Sequence, residues 1–434
     1  MKVESNKEAF TMKAAYTREI INPILPCKME GYNEARFCFN QTAQQKQVSG
    51  EGLRTACGLR DDLLLDTLIL QAGETMVFFT LDIAIAEQQF TDACRKAVSE
   101  ACGLDVSHIC VSCSHTHNSP VVSHGMNGEL DPDLEYWERI QDKMIYSAKW
   151  ALRHLREAQA TLDQVTINGF YNNRNRPGEE YNDRCEILTL RTADGLPLVQ
   201  LLNLACHPTI LGAQNLYITA DFFGVLRRSV QGATGMPVMI FNGEAGDVSP
   251  RLMKKGVDWN ECLRYGEGIA AQLIDPKHPR PLTVENLNVR SVKMTIDYNP
   301  QTNEYLLEKQ RELKAELETL DPDSDRAHRI TACYLRDVED KLAQTRLHYE
   351  PECLIVDFGS FRIVTVPCEI DTVLGKRIRE YDGKPTLLCA YANGFHYYAV
   401  NKQEYGIVFE SFNTYFPYGA ADEMVDLILA QLQA

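Results

Sequence analysis

Two histidines at the end of a buried strand constrain this chain more than any other feature. Residues 106–111 are rich in β-branched and apolar side chains, which is typical of a buried strand. The run leads into residues 113–120, Cys-Ser-His-Thr-His-Asn-Ser-Pro, whose last three residues predict a loop. Because residues two apart on a strand point to the same side, His115 and His117 are expected to face one cleft. The pair suits a metal site or an acid–base site, and a pair that only makes hydrogen bonds has the same spacing.

Buried strands alternate with helices along the chain, which predicts an α/β protein with a mixed β-sheet core flanked by helices. Turns at Gly73 and Gly195 predict two hairpins, and the strand–helix–strand order over 76–117 favours a parallel pair. The predicted strands cover 63–70, 76–82, 106–111, 186–190, 196–204, 237–241, 284–296, 353–366 and 386–392. The predicted helices cover 90–101, 131–162, 222–231, 263–273, 370–381 and 421–432.

One segment, residues 303–346, differs in character from the rest of the chain. It is rich in Glu, Lys, Arg and Leu, and Asp321-Pro322-Asp323 interrupts it. This pattern predicts a charged helical hairpin inserted into a single catalytic domain that spans residues 1–434. If the protein forms a homodimer, we expect the contact at this hairpin.

Charge and composition argue against several classes of protein. The formal net charge of −16 over 434 residues argues against nucleic acid or an anionic membrane as a main partner. No apolar run has the length of a membrane-spanning helix, so no integral membrane segment is expected. Residues 1–15 lack the apolar core of a signal peptide, and the 14 cysteines are scattered, several in apolar runs that suit reduced core thiols. These features predict a cytoplasmic protein.

Three further loops place polar side chains where strands end. His207 stands where an apolar strand meets Pro208, and two strand ends that carry imidazoles favour one shared site. Glycines in the loop 242–250 allow backbone N–H groups to turn toward a ligand near Ser249. Glu369 lies at a strand-to-helix junction, where the helix N-terminus stabilises a carboxylate with or without a metal.

Taken together, these loops resemble those of the neutral and alkaline ceramidase family, in its catalytic domain. Residues 114–120 resemble the family's Thr-His-Thr-His-Ser-Gly-Pro loop, and residues 246–250 match its Gly-Asp-Val-Ser-Pro loop outright. Supporting matches are Asn175-Arg176-Pro177, Cys206-His207-Pro208, Thr219-Ala220-Asp221, Pro367-Cys368-Glu369 and 393–405. The resemblance extends over residues 14–418 and implies a short, bacterial-type member that lacks the family's C-terminal immunoglobulin-like domain.

The resemblance implies a Zn²⁺ site and assigns roles around it. The implied zinc ligands are His115, His207, Glu369 and Tyr398, with Tyr397 as the alternative to Tyr398. The implied catalytic residues are His117, as an acid and base beside the metal, and Ser249, as nucleophile or positioning residue. The implied substrate-binding residues are Arg176, with Arg174 as its stand-in, and Asp247.

The sequence therefore predicts a zinc-dependent hydrolase that cleaves the N-acyl bond of a ceramide-like or smaller acyl-amide substrate. Two alternatives use the same site: a zinc hydrolase that acts on an ester or a sugar-linked amide, and a non-catalytic zinc-containing binding protein. A further alternative is a two-metal phosphatase, in which Asp82, Asp221 and Asp247 would be additional ligands.

Overall fold

Two mixed β-sheets pack face to face in the computed structural model, which describes residues 12–32, 54–125, 130–275, 278–321 and 331–433. Among the described residues, the first sheet has nine strands: β1 Lys13–Ile20, β2 Leu64–Ala72, β3 Glu74–Leu81, β4 Ile109–Cys113, β5 Arg156–Thr166, β6 Arg184–Thr192, β7 Pro197–Leu204, β8 Val238–Asn242 and β9 Arg280–Leu282. Their order is β8-β7-β6-β5-β1-β2-β3-β4, with β9 beside β5. The pairs β3–β4 and β7–β8 are parallel, and the others are antiparallel.

The second sheet has four strands in the described part of the chain: β10 Val284–Lys293, β11 Glu352–Gly359, β12 Arg362–Thr365 and β13 Thr386–Cys389. They lie in the order β10-β11-β12-β13, and β12 and β13 are parallel. Short ladders pair Cys27–Lys28 with Thr55–Ala56, Gly58–Leu59 with Tyr217–Ile218, Asn172–Asn173 with Val248–Ser249, Ile296–Tyr298 with Leu347–Tyr349, and Glu369–Ile370 with Tyr398–Ala399.

Helices cover the outer faces of both sheets. They are α1 Gln88–Cys102, α2 Leu134–Arg153, α3 Asp221–Thr234, α4 Trp259–Leu273, α5 Glu304–Thr319, α6 Ala332–Leu342, α7 Thr372–Arg379 and α8 Ala420–Gln433, with 3₁₀ turns at Val106–His108, Pro300–Thr302 and Phe409–Ser411. Helices α1 and α2 pack on β1–β4, α3 and α4 on β6–β8, and α7 and α8 on the second sheet. None of the described helices is long and apolar enough to cross a membrane.

The side-chain pattern of β2 shows why it is buried on both faces. Leu68 and Leu70 join the core between the sheets, whereas Leu65 and Ile69 join the core beneath α1 and α2. This alternation follows the two-residue period of a strand. The α/β architecture with helix-flanked mixed sheet is confirmed, and so are the hairpins at Gly73 and Gly195 and the parallel pair β3–β4. The second sheet adds a layer that the pattern alone did not reveal.

Several predicted boundaries are wrong, and two of them have a clear physical reason. The helix predicted over 131–162 ends at Arg153, and β5 begins at Arg156. In β5, Ala158, Ala160 and Leu162 are buried at alternate positions, so a two-residue period replaces the helical period there. The strand predicted at 106–111 starts only at Ile109, because residues 106–108 form a 3₁₀ turn capped by the carboxylate of the preceding aspartate.

Within residues 303–346, α5 and α6 contact each other, and residues 322–330 between them lie outside the described residues. Leu306 and Leu313 on α5 and Val338 on α6 pack together against Phe412. The inner face of the pair therefore supports the segment around Phe409–Ser411.

The cysteines whose side chains are described are free thiols. Cys110 and Cys113 have the Cys-x-x-Cys spacing of redox motifs, but both are buried on β4. Hydrogen bonding to Cys389 and then burial raise the pKa of Cys110 well above its ordinary value, and burial raises the pKa of Cys113. A thiolate is therefore disfavoured at both positions.

A buried carboxylate on β6 predicts a pH-dependent stability. Glu186 is 7% exposed, and burial raises its pKa from 4.5 to about 7. The folded chain therefore holds this proton more tightly than the unfolded chain, so Glu186 destabilises the fold above pH 7 and has no effect below about pH 4.5. We expect Glu186→Gln to raise the free energy of unfolding by up to about 3 kcal/mol near pH 8.5.

Urea unfolding of both proteins between pH 4.5 and 8.5 measures this difference. The control is Glu180→Gln, because the Glu180 side chain is 65% exposed and should give no pH-dependent difference. An unchanged gap between wild type and Glu186→Gln across this pH range would contradict the prediction.

Candidate metal centre

Three ligand-bearing side chains follow strands that have a parallel neighbour. His115 lies two residues after β4, His207 three residues after β7, and Glu369 four residues after β12. The carboxyl ends of parallel strands are the usual location of ligand sites in α/β sheets. Asn242, the last residue of β8, joins these ends: its amide nitrogen donates to the Ser114 carbonyl, and its side-chain oxygen accepts from the Cys206 N–H.

His115, His207 and Glu369 converge on one point. One ligand atom from each lies within 4.8 Å of the others. The Oε2 atom of Glu369 is 2.8 Å from Nε2 of His207 and 3.4 Å from Nε2 of His115. All three side chains are buried, at 4% exposure or less. Two imidazoles and one carboxylate are a donor set that zinc favours.

The backbone fixes the orientation of both imidazole rings. Nδ1 of His115 is 2.7 Å from the carbonyl oxygen of Ala84, and Nδ1 of His207 is 3.0 Å from that of Val248. A carbonyl only accepts, so each Nδ1 donates and each ring directs its Nε2 atom toward Glu369. Two Nε2 atoms and a buried carboxylate that meet at one point are a donor set for a divalent cation, and the residues therefore fit a metal ion.

The charge state of Glu369 agrees with this arrangement. Burial on its own raises the pKa of Glu369, but the charges and hydrogen bonds of His115 and His207 outweigh it and hold the pKa well below its ordinary value. The carboxyl group is therefore ionised and available as a ligand.

Tyr398 adjoins the three candidate ligands through the short ladder that pairs it with Glu369. Its ring centroid lies 6.5 Å from that of His207, and the Arg174 guanidinium lies 5.4 Å from its ring centroid. Burial raises the pKa of Tyr398 well above its ordinary value, and the Arg174 charge offsets only part of that rise. Tyr397 instead packs against Phe395 and Tyr415, at centroid distances of 4.8 and 5.2 Å.

The two arginines of the loop after residue 172 have different environments. Arg174 donates to Glu410 at 2.7 Å, and its Nη1 lies 3.4 Å from Nε2 of His207. The Arg176 side chain is 45% exposed and lies 3.3 Å from Glu404. The structure thus brings Arg174 to the cluster and leaves Arg176 at the rim.

The loop after β8 supports the site through its own hydrogen bonds. Asp247 accepts from the Thr372 N–H at 2.9 Å, from the Thr372 hydroxyl at 2.7 Å and from Asn173 at 2.8 Å. Burial raises its pKa to about 6. Ser249 is 2% exposed, and its hydroxyl accepts from the Arg251 N–H at 3.2 Å. The carbonyl of Val248, between them, orients His207. Both oxygens of Asp247 are therefore engaged within the protein.

His117 lies beside the cluster, outside the group of three ligand atoms. Its Nε2 is 3.2 Å from Nε2 of His115, and its ring meets the Tyr32 ring edge-on at 4.8 Å. Its Nδ1 has no hydrogen-bond partner among the described residues. Burial and then the charges on His115 and His207 hold the pKa of His117 well below its ordinary value. His117 is therefore neutral near pH 7 and able to accept a proton.

The aspartates of the two-metal alternative have other partners. Both oxygens of Asp82 accept from Arg227 at 2.8 Å. Asp221 accepts backbone N–H groups of Phe222, Ile210 and Leu211, so it holds the loop after His207 as well as the start of α3. Within the described residues, one group of three or more His, Cys, Asp or Glu side chains could hold a metal ion, and it consists of His115, His207 and Glu369.

Two residues of the site have no indication in the sequence. Glu410, 2% exposed, binds Arg174 and Asn175 from a 3₁₀ turn that follows an irregular loop. Tyr391 is fully buried, and its ring stacks on the His115 imidazole at a centroid distance of 4.5 Å. Burial and then the Glu369 charge raise the pKa of the Tyr391 hydroxyl well above its ordinary value.

Backbone strain is concentrated around these residues. The described residues other than glycine that have positive φ are His115, Asp221, Tyr391, Asn393 and Tyr397. Such conformations are costly for residues with a side chain, and in folded proteins they cluster at functional sites. Their distribution therefore marks the same region as the ligand geometry.

Comparison with solved structures identifies the fold. The chain superposes on the crystal structure of neutral ceramidase from Pseudomonas aeruginosa with a TM-score of 0.72 and 14% sequence identity, covering 98% of this chain and 75% of that one. A second structure, a ceramidase complexed with C2, gives a TM-score of 0.71 and 14% identity, with 98% and 76% coverage. No protein-family model and no curated protein sequence matches. The chain therefore has the ceramidase fold that the sequence resemblance implied.

Proposed function

We propose that this protein is a zinc-dependent amide hydrolase of the neutral ceramidase family, acting on the N-acyl bond of a ceramide-like or smaller acyl-amide. One observation carries the proposal: His115, His207 and Glu369 converge within 4.8 Å, with both imidazoles oriented by backbone carbonyls. Tyr398 is the fourth proposed ligand, because a short ladder pairs it with Glu369 and its ring centroid lies 6.5 Å from that of His207.

Each remaining residue has a proposed part in hydrolysis. Zinc held at this site would supply Lewis acidity, which polarises a carbonyl group and makes water a stronger acid. His117 takes a proton from the attacking group and returns it to the leaving amine, because it is neutral near pH 7 and lies at the edge of the cluster. Ser249 is the proposed nucleophile or positioning residue. Arg174 holds the substrate carbonyl, and its ion pair with Glu410 fixes its direction.

Metal analysis and a substrate panel test the proposal together. Protein purified without added metal should contain near one equivalent of zinc by elemental mass spectrometry. It should hydrolyse N-acyl amides, chelation should abolish this turnover, and added zinc should restore it. Matched esters and sugar-linked amides in the panel distinguish the alternative substrates. Zinc-loaded protein that turns over no amide would contradict the proposal.

Replacing Arg174 by lysine should show that the two arginines of the loop contribute differently to hydrolysis. Lysine keeps the charge but lacks the planar fork that reaches Glu410 and the His207–Tyr398 side at once. We expect a fall in kcat/KM of about tenfold, equivalent to one lost charge-assisted hydrogen bond, with zinc retained. Arg176→Lys is the matched control and should change kcat/KM less than about twofold, since that side chain is half-exposed. Equal effects of the two substitutions would contradict this assignment.

A further inference from the structure

Tyr391 carries a hydroxyl group for which the described part of the fold provides no hydrogen-bond partner. Its side chain is fully buried, and its hydroxyl has no hydrogen-bond partner among the described residues. A buried hydroxyl without a partner costs about 1–3 kcal/mol. The residue also has φ of +56°, which adds strain for a side chain of this size. A phenylalanine would fill the same space without the first of these penalties.

The backbone holds Tyr391 between two strand ends that carry proposed metal ligands. Its carbonyl accepts from the Cys113 N–H at 3.2 Å, and its own N–H donates to the Cys368 carbonyl at 3.3 Å. Cys113 ends the strand before His115, and Cys368 immediately precedes Glu369. The Tyr391 ring then lies nearly parallel to the His115 imidazole, with 22° between the planes. The residue is therefore fixed against the cluster by both its backbone and its ring.

The Tyr391 hydroxyl lies within the electrostatic influence of the proposed ligand cluster. After burial, the charge of Glu369 raises the pKa of this hydroxyl most. The hydroxyl of Ser114, the residue before His115, and the amide nitrogen of Asn393, whose side-chain oxygen accepts from the Val111 N–H on β4, are also buried without hydrogen-bond partners among the described residues. Unpartnered polar atoms around one cluster indicate that a polar ligand completes their bonding.

We propose that Tyr391 is a ligand-binding residue of this site, whose hydroxyl donates a hydrogen bond to an oxygen atom of the bound acyl-amide. The inference rests on the proposed function and adds a specific donor to it. The ring has a separate role, because it orients His115 by stacking. Tyr391→Phe removes the donor and keeps the stack, so it tests the hydroxyl alone.

The test uses acetohydroxamate, a small acyl compound that binds zinc, as the probe. Its affinity is measured by calorimetry on zinc-loaded wild type, Tyr391→Phe and Tyr171→Phe. Tyr171 is the matched control, because its hydroxyl is also buried without a partner among the described residues but lies in the core under α3 and α4. We expect binding about tenfold weaker for Tyr391→Phe and unchanged for Tyr171→Phe. The metal-free variants should unfold at or above the wild-type temperature.

Each other result overturns the inference in a recognisable way. Equal affinity of wild type and Tyr391→Phe would show that the hydroxyl contacts no ligand. A lower unfolding temperature for Tyr391→Phe alone would show that the hydroxyl is bonded within the protein. Zinc-loaded wild type that does not bind acetohydroxamate would also overturn it, and protein that holds no zinc would overturn both proposals. Weaker probe binding by Tyr391→Phe without amide turnover by wild type would overturn the proposed function alone.

Discussion

Glu369→Gln should abolish zinc retention and, with it, hydrolysis. Glu369 supplies the carboxylate toward which both imidazoles point, at 2.8 and 3.4 Å. A carboxamide keeps the shape but removes the negative charge that a divalent cation needs in a buried site. Loss of a residue that merely supports a metal ligand weakens affinity by about 10–100-fold, so loss of a ligand should exceed about 100-fold.

Zinc content after dialysis and the response of thermal unfolding to zinc measure this effect. A ligand that binds only the folded state, and whose free concentration is about 1,000 times its Kd, stabilises that state by about 4 kcal/mol. Added zinc should therefore raise the unfolding temperature of wild type and leave that of Glu369→Gln unchanged. Glu352→Gln is the control, because that carboxylate is also shielded and is paired with Arg95 outside the site. Full zinc content in Glu369→Gln would refute the ligand assignment.

The sequence predicted the residues of the centre better than it predicted their geometry. A histidine that ends an apolar strand is visible in the pattern, and so is a carboxylate at a strand-to-helix junction. The two strand ends favoured one shared site and the resemblance added Glu369, but the way the three residues meet is not visible, because three parallel strand pairs in two sheets bring them together. No short stretch of the sequence indicates which sheets pack against each other.

Supporting contacts were beyond prediction for the same reason. The carbonyl that orients His115 belongs to Ala84. Every residue has a backbone carbonyl, so the residue type does not indicate this role. Glu410 binds Arg174 across 236 positions, so no local spacing connects them. Tyr391 adopts a positive φ that tyrosine residues seldom adopt, and the sequence around it predicted only a strand. The boundary between α2 and β5 was predicted wrongly, because the helical period of the buried side chains changes to the two-residue period of β5 within the range predicted as one helix.

His117→Ala should differ from Glu369→Gln in one respect: turnover is lost in both variants, but His117→Ala retains its zinc. The Nε2 atom of His117 approaches His115 at 3.2 Å but does not join the group of three ligand atoms. Loss of a general acid–base group lowers rates by about 10²–10⁴-fold, and we expect kcat to fall within that range. His124→Ala is the matched control, because that histidine follows on the same loop, is 40% exposed and pairs with Glu87.

The pH profile makes this assignment specific, since a purely structural histidine would not change it. Burial and the neighbouring imidazoles lower the pKa of His117, so the base stays unprotonated until the pH falls well below 6.5. The acidic limb of kcat/KM in wild type should therefore lie below the range of a free histidine, and it should disappear from the residual activity of His117→Ala. Loss of zinc in His117→Ala would make it a metal ligand, and an unchanged acidic limb would assign the base to another residue.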